Sequence, residues 1–251
     1  MSPVSAAASP PSAPSRRPIA ALAIALALAA CAPAVHAARP MVTDDARIVD
    51  PKSCQIETWV RTYRDGGREF WALPGCNPFG GFEVTLGGAS LHPSPDPRRS
   101  VFQGQVKTLL RPLTTDDWGV GLAVGTLDTL PGATYAGRDQ PYFYVPLSVS
   151  MARDRAVLHL NLGASRAASG RDGVQAVWGI GGEFAVVPRA LVVAETYGAS
   201  GERPQVQVGL RLWLVPDRVQ VDTTVGHQGG PVGVGRWISI GLRLLSPPML
   251  P

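Results

Sequence analysis

The chain has 251 residues, and its 28 Gly and 24 Pro are high for a helical protein but ordinary for an all-β protein with many turns. Its formal charge of +4 falls once residues 1–37 are set aside, because Arg16 and Arg17 leave with no acid and 21 basic residues then face 19 acidic ones. A nearly neutral remainder with no Lys/Arg cluster interleaved with aromatics gives no support for a nucleic-acid partner, and roughly 210 residues suit a single domain.

Residues 1–37 read as a signal peptide. Arg16-Arg17 precede the apolar run Ile19 to Ala30, which is too short for a membrane-spanning helix and suits a signal h-region. Two processing sites compete. Val35-His36-Ala37 is a small-x-small site for ordinary signal peptidase, whereas Leu28-Ala29-Ala30-Cys31 resembles a lipobox in which Cys31 would carry lipid. A chain that embeds itself through its strands needs no lipid anchor, which favours cleavage after Ala37. Cys54 and Cys76 then remain, an even pair in an oxidising compartment. A disulfide closing the first hairpin-like segment is the economical reading, since no His lies beside them to complete a metal site.

Residues 38–53 show no periodicity and read as an extended lead-in to a domain over 54–251. Twelve strands are expected after it, near 54–63, 68–74, 80–89, 100–111, 117–125, 141–151, 155–164, 174–184, 189–198, 204–214, 218–226 and 236–245. Turn residues separate most of them, among them Asp65-Gly66-Gly67, Asn77-Pro78, Ser94-Pro95-Asp96-Pro97, Pro131-Gly132, Arg153-Asp154, Pro216-Asp217 and Gly229-Gly230-Pro231. The clearest pair is 204–226. Val206, Val208, Leu210, Leu212 and Leu214 alternate with Gln207, Gly209, Arg211 and Trp213, and Val219, Val221 and Val225 with Gln220, Asp222 and Thr224. A strand of about ten residues with one aliphatic face has the length that a tilted strand needs to cross a bilayer.

A soluble sandwich also alternates, so the second face decides between the two. It holds Gly119, Gly121 and Ala123 opposite Val120, Leu122 and Val124, and Tyr142, Tyr144 and Ser148 opposite Phe143, Val145, Leu147 and Val149. Small and uncharged polar groups suit a confined lumen better than bulk water. An antiparallel up-and-down outer-membrane β-barrel of about twelve strands is therefore expected, with membrane lipid as a partner.

The opening Ala38-Arg39-Pro40-Met41-Val42-Thr43-Asp44-Asp45-Ala46 resembles the R-P-[LM]-x-T-[DE]-D-A start of outer-membrane barrels of the phenol-degradation MetA-pathway family. The strand Leu158-His159-Leu160-Asn161-Leu162-Gly163 is similar to an HLNLGY-type strand of the same group. Ala164 stands where that group has an aromatic, and Cys54 and Cys76 are not part of its pattern. The resemblance implies an outer-membrane barrel that passes or binds a small organic solute. At the other end, the alternating strand 237–245 is followed by Ser-Pro-Pro-Met-Leu-Pro. The terminal aromatic usual for the assembly machinery is missing, which leaves a secreted or lipid-anchored β-sandwich with a binding or structural role as the alternative.

Catalytic chemistry finds little footing. His159 and Asn161 share a face as a His and Ser do in outer-membrane phospholipases, but position 161 is Asn and Ser165 is read into the following turn. Gly179-Ile180-Gly181-Gly182 opens no helix and reads as strand flexion; His92 and His227 read as loop residues without ligand spacing. No enzyme activity, metal or cofactor is expected, and a barrel-embedded lipid hydrolase is the third and weakest reading. The lumen and solute candidates are His159, Asn161, Gln207, Arg211, Trp213, Gln220, Asp222, Ser239 and Arg243. Arg211 and Asp222, about equally far from the Pro216-Asp217 turn, are expected to approach each other across the hairpin.

Overall fold

The computed structural model describes residues 41–94, 98–130, 140–166, 173–229 and 235–251. The expected signal segment, its Cys31, and the turn residues Pro95-Asp96-Pro97, Pro131-Gly132 and Gly230-Pro231 lie outside the described residues.

The strands are β1 (Ser53–Tyr63), β2 (Arg68–Asn77), β3 (Phe82–His92), β4 (Arg99–Arg111), β5 (Trp118–Thr129), β6 (Gln140–Met151), β7 (Ala156–Arg166), β8 (Val174–Val187), β9 (Ala190–Ala199), β10 (Gln205–Val215), β11 (Val219–Gln228) and β12 (Arg236–Leu245). Each pairs antiparallel with its sequence neighbours, and β12 returns to β1 over Gln55↔Leu245 to Tyr63↔Trp237, so the sheet is a closed barrel. Closure removes every sheet edge and rules out the sandwich. His92 and His227 end up in β3 and β11 and not in loops; a regular ladder carries them past the turns expected there.

One face of every strand is aliphatic and points outward. Phe70, Leu86, Leu162, Ile180, Leu210 and Ile240 are each at least half exposed. So large a continuous apolar surface is unsuited to water and matches the lipid-facing band of a membrane barrel. The other face holds Ser148, His159, Glu183, Glu195, Gln207, Arg211, Gln220, Asp222, Thr224 and Ser239, all buried in the lumen. The sheet is thus inverted relative to a soluble protein, with its polar groups inside.

The two ends differ. One carries the connections 78–81, 112–117, 152–155, 188–189 and 216–218 together with both ends of the sheet's chain; the other carries 64–67, 93–98, 130–139, 167–173, 200–204 and 229–235. The first set is on average the shorter. Register shifts at Leu109/Arg111, Ala185/Val187 and Trp213/Val215 all fall at that short-turn end, where an extra residue can end a ladder without opening the wall. There Cys54 faces Cys76 in the β1–β2 register, and the two form the expected disulfide on the outer side of the wall.

The inverted sheet has a measurable consequence. Ile240→Arg, on the lipid face in mid-strand, is expected to cost about 2–4 kcal/mol of folding free energy in a bilayer. The measurement is a denaturant titration into lipid vesicles, with heat-modifiable gel migration as the sign of folding; a neutral effect would mean that this face does not meet lipid.

Candidate functional site

The lumen of a twelve-strand barrel is wider than one that wall side chains alone fill. Here the segment 41–49 enters it. Met41, Thr43, Asp45, Ala46 and Val49 are all buried, although the segment has no regular secondary structure and makes no ladder of its own. A backbone without a ladder, enclosed away from water, must have its polar groups met by side chains. The strands supply them. Glu195 on β9 accepts the Val42 and Thr43 amides at 2.8 and 2.7 Å, one on each carboxylate oxygen. Asn161 on β7 accepts from the Asp44 amide (2.6 Å) and donates to the Asp44 carbonyl (2.8 Å), as a neighbouring strand would. Ser148 Oγ accepts the Ala46 amide at 2.9 Å, Glu83 Oε2 accepts that of Val49 at 2.8 Å, and Asn77 Nδ2 donates to the Val49 carbonyl at 2.7 Å.

Charge completes the attachment. Lys107 on β4 lies 2.9 Å from Asp44 Oδ1 and 3.2 Å from Asp45 Oδ1, with only 6% of its side chain exposed. Tyr144 OH donates to Asp44 Oδ2 at 2.7 Å. The segment is therefore a strap built into the lumen by six strands, and residues 41–49 of the lead-in expected over 38–53 lie inside the barrel. Gly179 and Gly181 make room for it: a Cβ on Gly179 would stand 2.5 Å from Thr43 Oγ1, and one on Gly181 would collide with the terminal methyl of Met41. The Gly-x-Gly-Gly run read as strand flexion is the seat of the strap.

The strap splits the lumen. Towards the short-turn end the interior is packed with charge. Arg211 Nη1 lies 2.7 Å from Glu183 Oε1, both side chains fully buried. The register does set Arg211 opposite Asp222. The guanidinium nevertheless reaches past β9 to Glu183 on β8. Arg243 donates to Gln55 Oε1 at 2.8 Å and lies 3.5 Å from Glu57, Gln207 bonds Glu195 and receives the Thr224 hydroxyl at 3.1 Å, and Thr224 contacts Ser239. Trp213 and Gln220 fill the space beside them, facing each other across β10 and β11. A cavity of about 70 Å³ lies against the strap here, lined by residues including Asp44, Asp45, Glu57, Glu83, Lys107 and Arg243.

Towards the other end the lumen opens into a vestibule of about 360 Å³. Val42 and Thr43 of the strap form its floor, and Trp71, Gln103, Gln105, Gln140, Tyr142, Tyr144, Asn161, Tyr197 and Gln205 line its wall. The rings of Tyr142 and Tyr144 stack with centroids 6.1 Å apart. Tyr142 OH donates to Gln105 Oε1 at 3.0 Å, the Tyr144 oxygen, whose proton goes to Asp44, lies 3.1 Å from the same atom, and Tyr197 OH donates to Gln205 Oε1 at 3.1 Å. Of the nine lumen candidates from the sequence, Asn161 alone lines this vestibule. The other eight pack the lumen nearer the short-turn end, and only Arg243 touches the small cavity there. Periodicity gives the face a side chain occupies but not its height in the barrel, so it puts Tyr142 and Tyr144 on the lumen face without marking them as solute candidates, and does not single out Trp71, Gln103 or Gln105.

A serine–histidine contact does exist, across strands. Ser148 Oγ lies 2.8 Å from His159 Nδ1, and His159 Nε2 lies 3.5 Å from Glu183 Oε1. Ser165 is in β7 on the same inward face and not in a turn, its Oγ accepting from Gln175 at 3.2 Å. The Ser148–His159–Glu183 row sits under the strap with Ser148 wholly buried and its oxygen already taken by the Ala46 amide. It holds the strap. Among the described residues no group of three or more His, Cys, Asp or Glu is placed to hold a metal ion.

The model of the family described as uncharacterised conserved protein UCP029691 matches residues 24–245. The chain belongs to this family. Among solved structures it is similar to the KdgM porin in complex with disordered oligogalacturonate, with TM-score 0.56 and 10% identity over 76% of this chain and 98% of that one. It is similar also to the NanC porin, with TM-score 0.53 and 12% identity over 77% and 98%. At such identity the likeness is one of fold, the outer-membrane-type barrel. No curated protein matches the chain.

Two outcomes follow from the lumen contacts. Glu195→Ala removes the acceptor of two strap amides, so a cysteine placed at Thr43 is expected to react with a maleimide at least about tenfold faster than in the parent, read by mass shift in detergent. Arg211→Ala leaves Glu183 buried without its cation and is expected to destabilise the barrel by about 3–5 kcal/mol, while the double variant Arg211→Met/Glu183→Gln recovers most of that loss in the same unfolding assay.

Proposed function

We propose that this protein is an outer-membrane barrel that receives a small organic solute in its vestibule and passes it inward when the strap shifts, without chemistry of its own. The carrying observation is the strap. It crosses the lumen with its backbone bonded by side chains of five strands and its carboxylates by Lys107 of a sixth, yet floors a vestibule large enough for a small molecule. Short turns and both ends of the sheet's chain at one rim support a periplasmic placement for that rim, which turns the vestibule to the outside. The residues that form the strap are those by which the chain resembles phenol-degradation MetA-pathway barrels, and this supports a transporter-like reading in which the closing segment belongs to the working parts. Hydrolysis is disfavoured because Ser148 and His159 have no room for a substrate beside them.

Planar-bilayer recording tests this. The intact protein is expected to conduct poorly, and Gly181→Val, which occupies the strap's seat without shortening the chain, is expected to raise single-channel conductance about tenfold. A deletion of residues 41–49 should do the same. An intact protein that conducts as freely as both variants would overturn the reading.

A further inference from the structure

The vestibule walls differ in kind from the rest of the lumen. Below the strap's floor buried ion pairs such as Arg211–Glu183 and Arg243–Glu57 stand among neutral contacts, whereas no Lys or Arg among the described residues lines the vestibule. Its one acid, Glu202, lies exposed in the connection 200–204 at the rim and faces water. Arg61, on the neighbouring wall beside Tyr197, is already engaged: its guanidinium lies 4.9 Å over the Trp237 ring and 3.9 Å from Glu69. An anionic solute entering here would lose its hydration with no cation among the described lining residues to replace it, Arg61 being held by Glu69 and the Trp237 ring. A cation would meet only carbonyl and phenol oxygens along the described interior lining, the one carboxylate there being Glu202 at the rim.

What the vestibule does offer is a set of neutral amides and aromatic faces. Gln105 and Gln205 accept the Tyr142 and Tyr197 hydroxyls through their carbonyl oxygens, which leaves their amide nitrogens to donate. Gln103 donates to Tyr142 OH at 3.2 Å, so its carbonyl is left to accept. Donors and acceptors presented together, from Gln103 and Gln105 on β4 and from Gln205 on β10 across the lumen, match hydroxyl groups, each of which both gives and takes a hydrogen bond. Trp71, Tyr142 and Tyr144 add flat apolar surface for a ring. A cavity of about 360 Å³ is at the small end of ligand sites, sized for one or two rings.

We infer that the vestibule binds a neutral, hydroxyl-bearing ring compound of one or two rings, in contact with Gln105, Gln205 and Tyr142. This rests on the reading of the vestibule as a solute site and adds the solute's class. Two sources share that chemistry, a sugar and a phenol, and the assay separates them. Calorimetric titration of the mature protein, folded in detergent, with cellobiose, catechol and digalacturonate is the test. Binding of cellobiose or catechol with at least about tenfold weaker binding of digalacturonate supports the class and names the source. Gln105→Leu is then expected to weaken the neutral probe about tenfold while heat-modifiable migration stays unchanged, and Gln205→Lys to bring in digalacturonate. Tighter binding of digalacturonate by the parent protein overturns the class but leaves the solute site standing. Heat from none of the three overturns the class and the site together, and the conductance of Gly181→Val then judges the strap-gated passage by itself.

Discussion

The width of the lumen is the constraint on which the remainder of the molecule depends. Eight strands make a barrel that side chains fill; twelve leave a space that would be water unless more chain is put into it. Segment 41–49 fills part of that space, and its unladdered backbone dictates the wall chemistry around it. Glu195, Asn161, Ser148, Glu83 and Asn77 stand at the heights where a strap amide or carbonyl needs a partner. Lys107 answers the two carboxylates that the strap brings with it. Much of what looks like a polar pore lining in the sequence is therefore the complement of one internal peptide.

The lumen becomes two chemically different compartments as a result. At the short-turn end, charges are matched against each other beside a cavity of about 70 Å³, a packed interior in a medium where an unpaired ion would be expensive. Above the floor set by Val42 and Thr43 the described lining is mostly neutral amides and rings, with Glu202 at the rim and the Arg61–Glu69 pair beside it on β1 and β2. Tyr144 and Asn161 belong to both, since each bonds Asp44 of the strap and also lines the vestibule. Whatever touches those two side chains from above also touches what holds the strap in place, which gives a solute a physical route to the closing segment.

The strands were legible because a membrane barrel repeats one rule, aliphatic outward and small or polar inward, at a period of two. All twelve expected segments overlap an observed strand, and the ends differ where ladders run past turn residues, as at Val187 and His92. The disulfide was legible from cysteine count and compartment. Contacts that join strands were not. Ser148 meets His159 from β6, and Arg211 finds Glu183 two strands away although its hairpin neighbour is Asp222. The strap lacked any period, so nothing in residues 41–49 distinguished an internal plug from a tether. The signal was present on the other side of the contact, in the missing Cβ atoms of Gly179 and Gly181, but it is readable only once β8 is known to face Thr43 and Met41.

The β1–β12 seam bears on how the chain reaches this state. The strap precedes the first strand, yet its partners lie up to 153 residues further along, and the sheet closes only when the last strand joins the first. Its polar docking sites on β6, β7 and β9 do not face one another until the wall has curved. The peptide must then lie inside before the seam seals, or be drawn through the short-turn mouth afterwards. Either order makes it a late, long-range step of the kind that slows folding. The Cys54–Cys76 bridge sits beside that mouth, next to the turn that sends the chain from strap into wall. By tying β1 to β2 there, it shortens the search that the leading peptide must make for an interior that forms last.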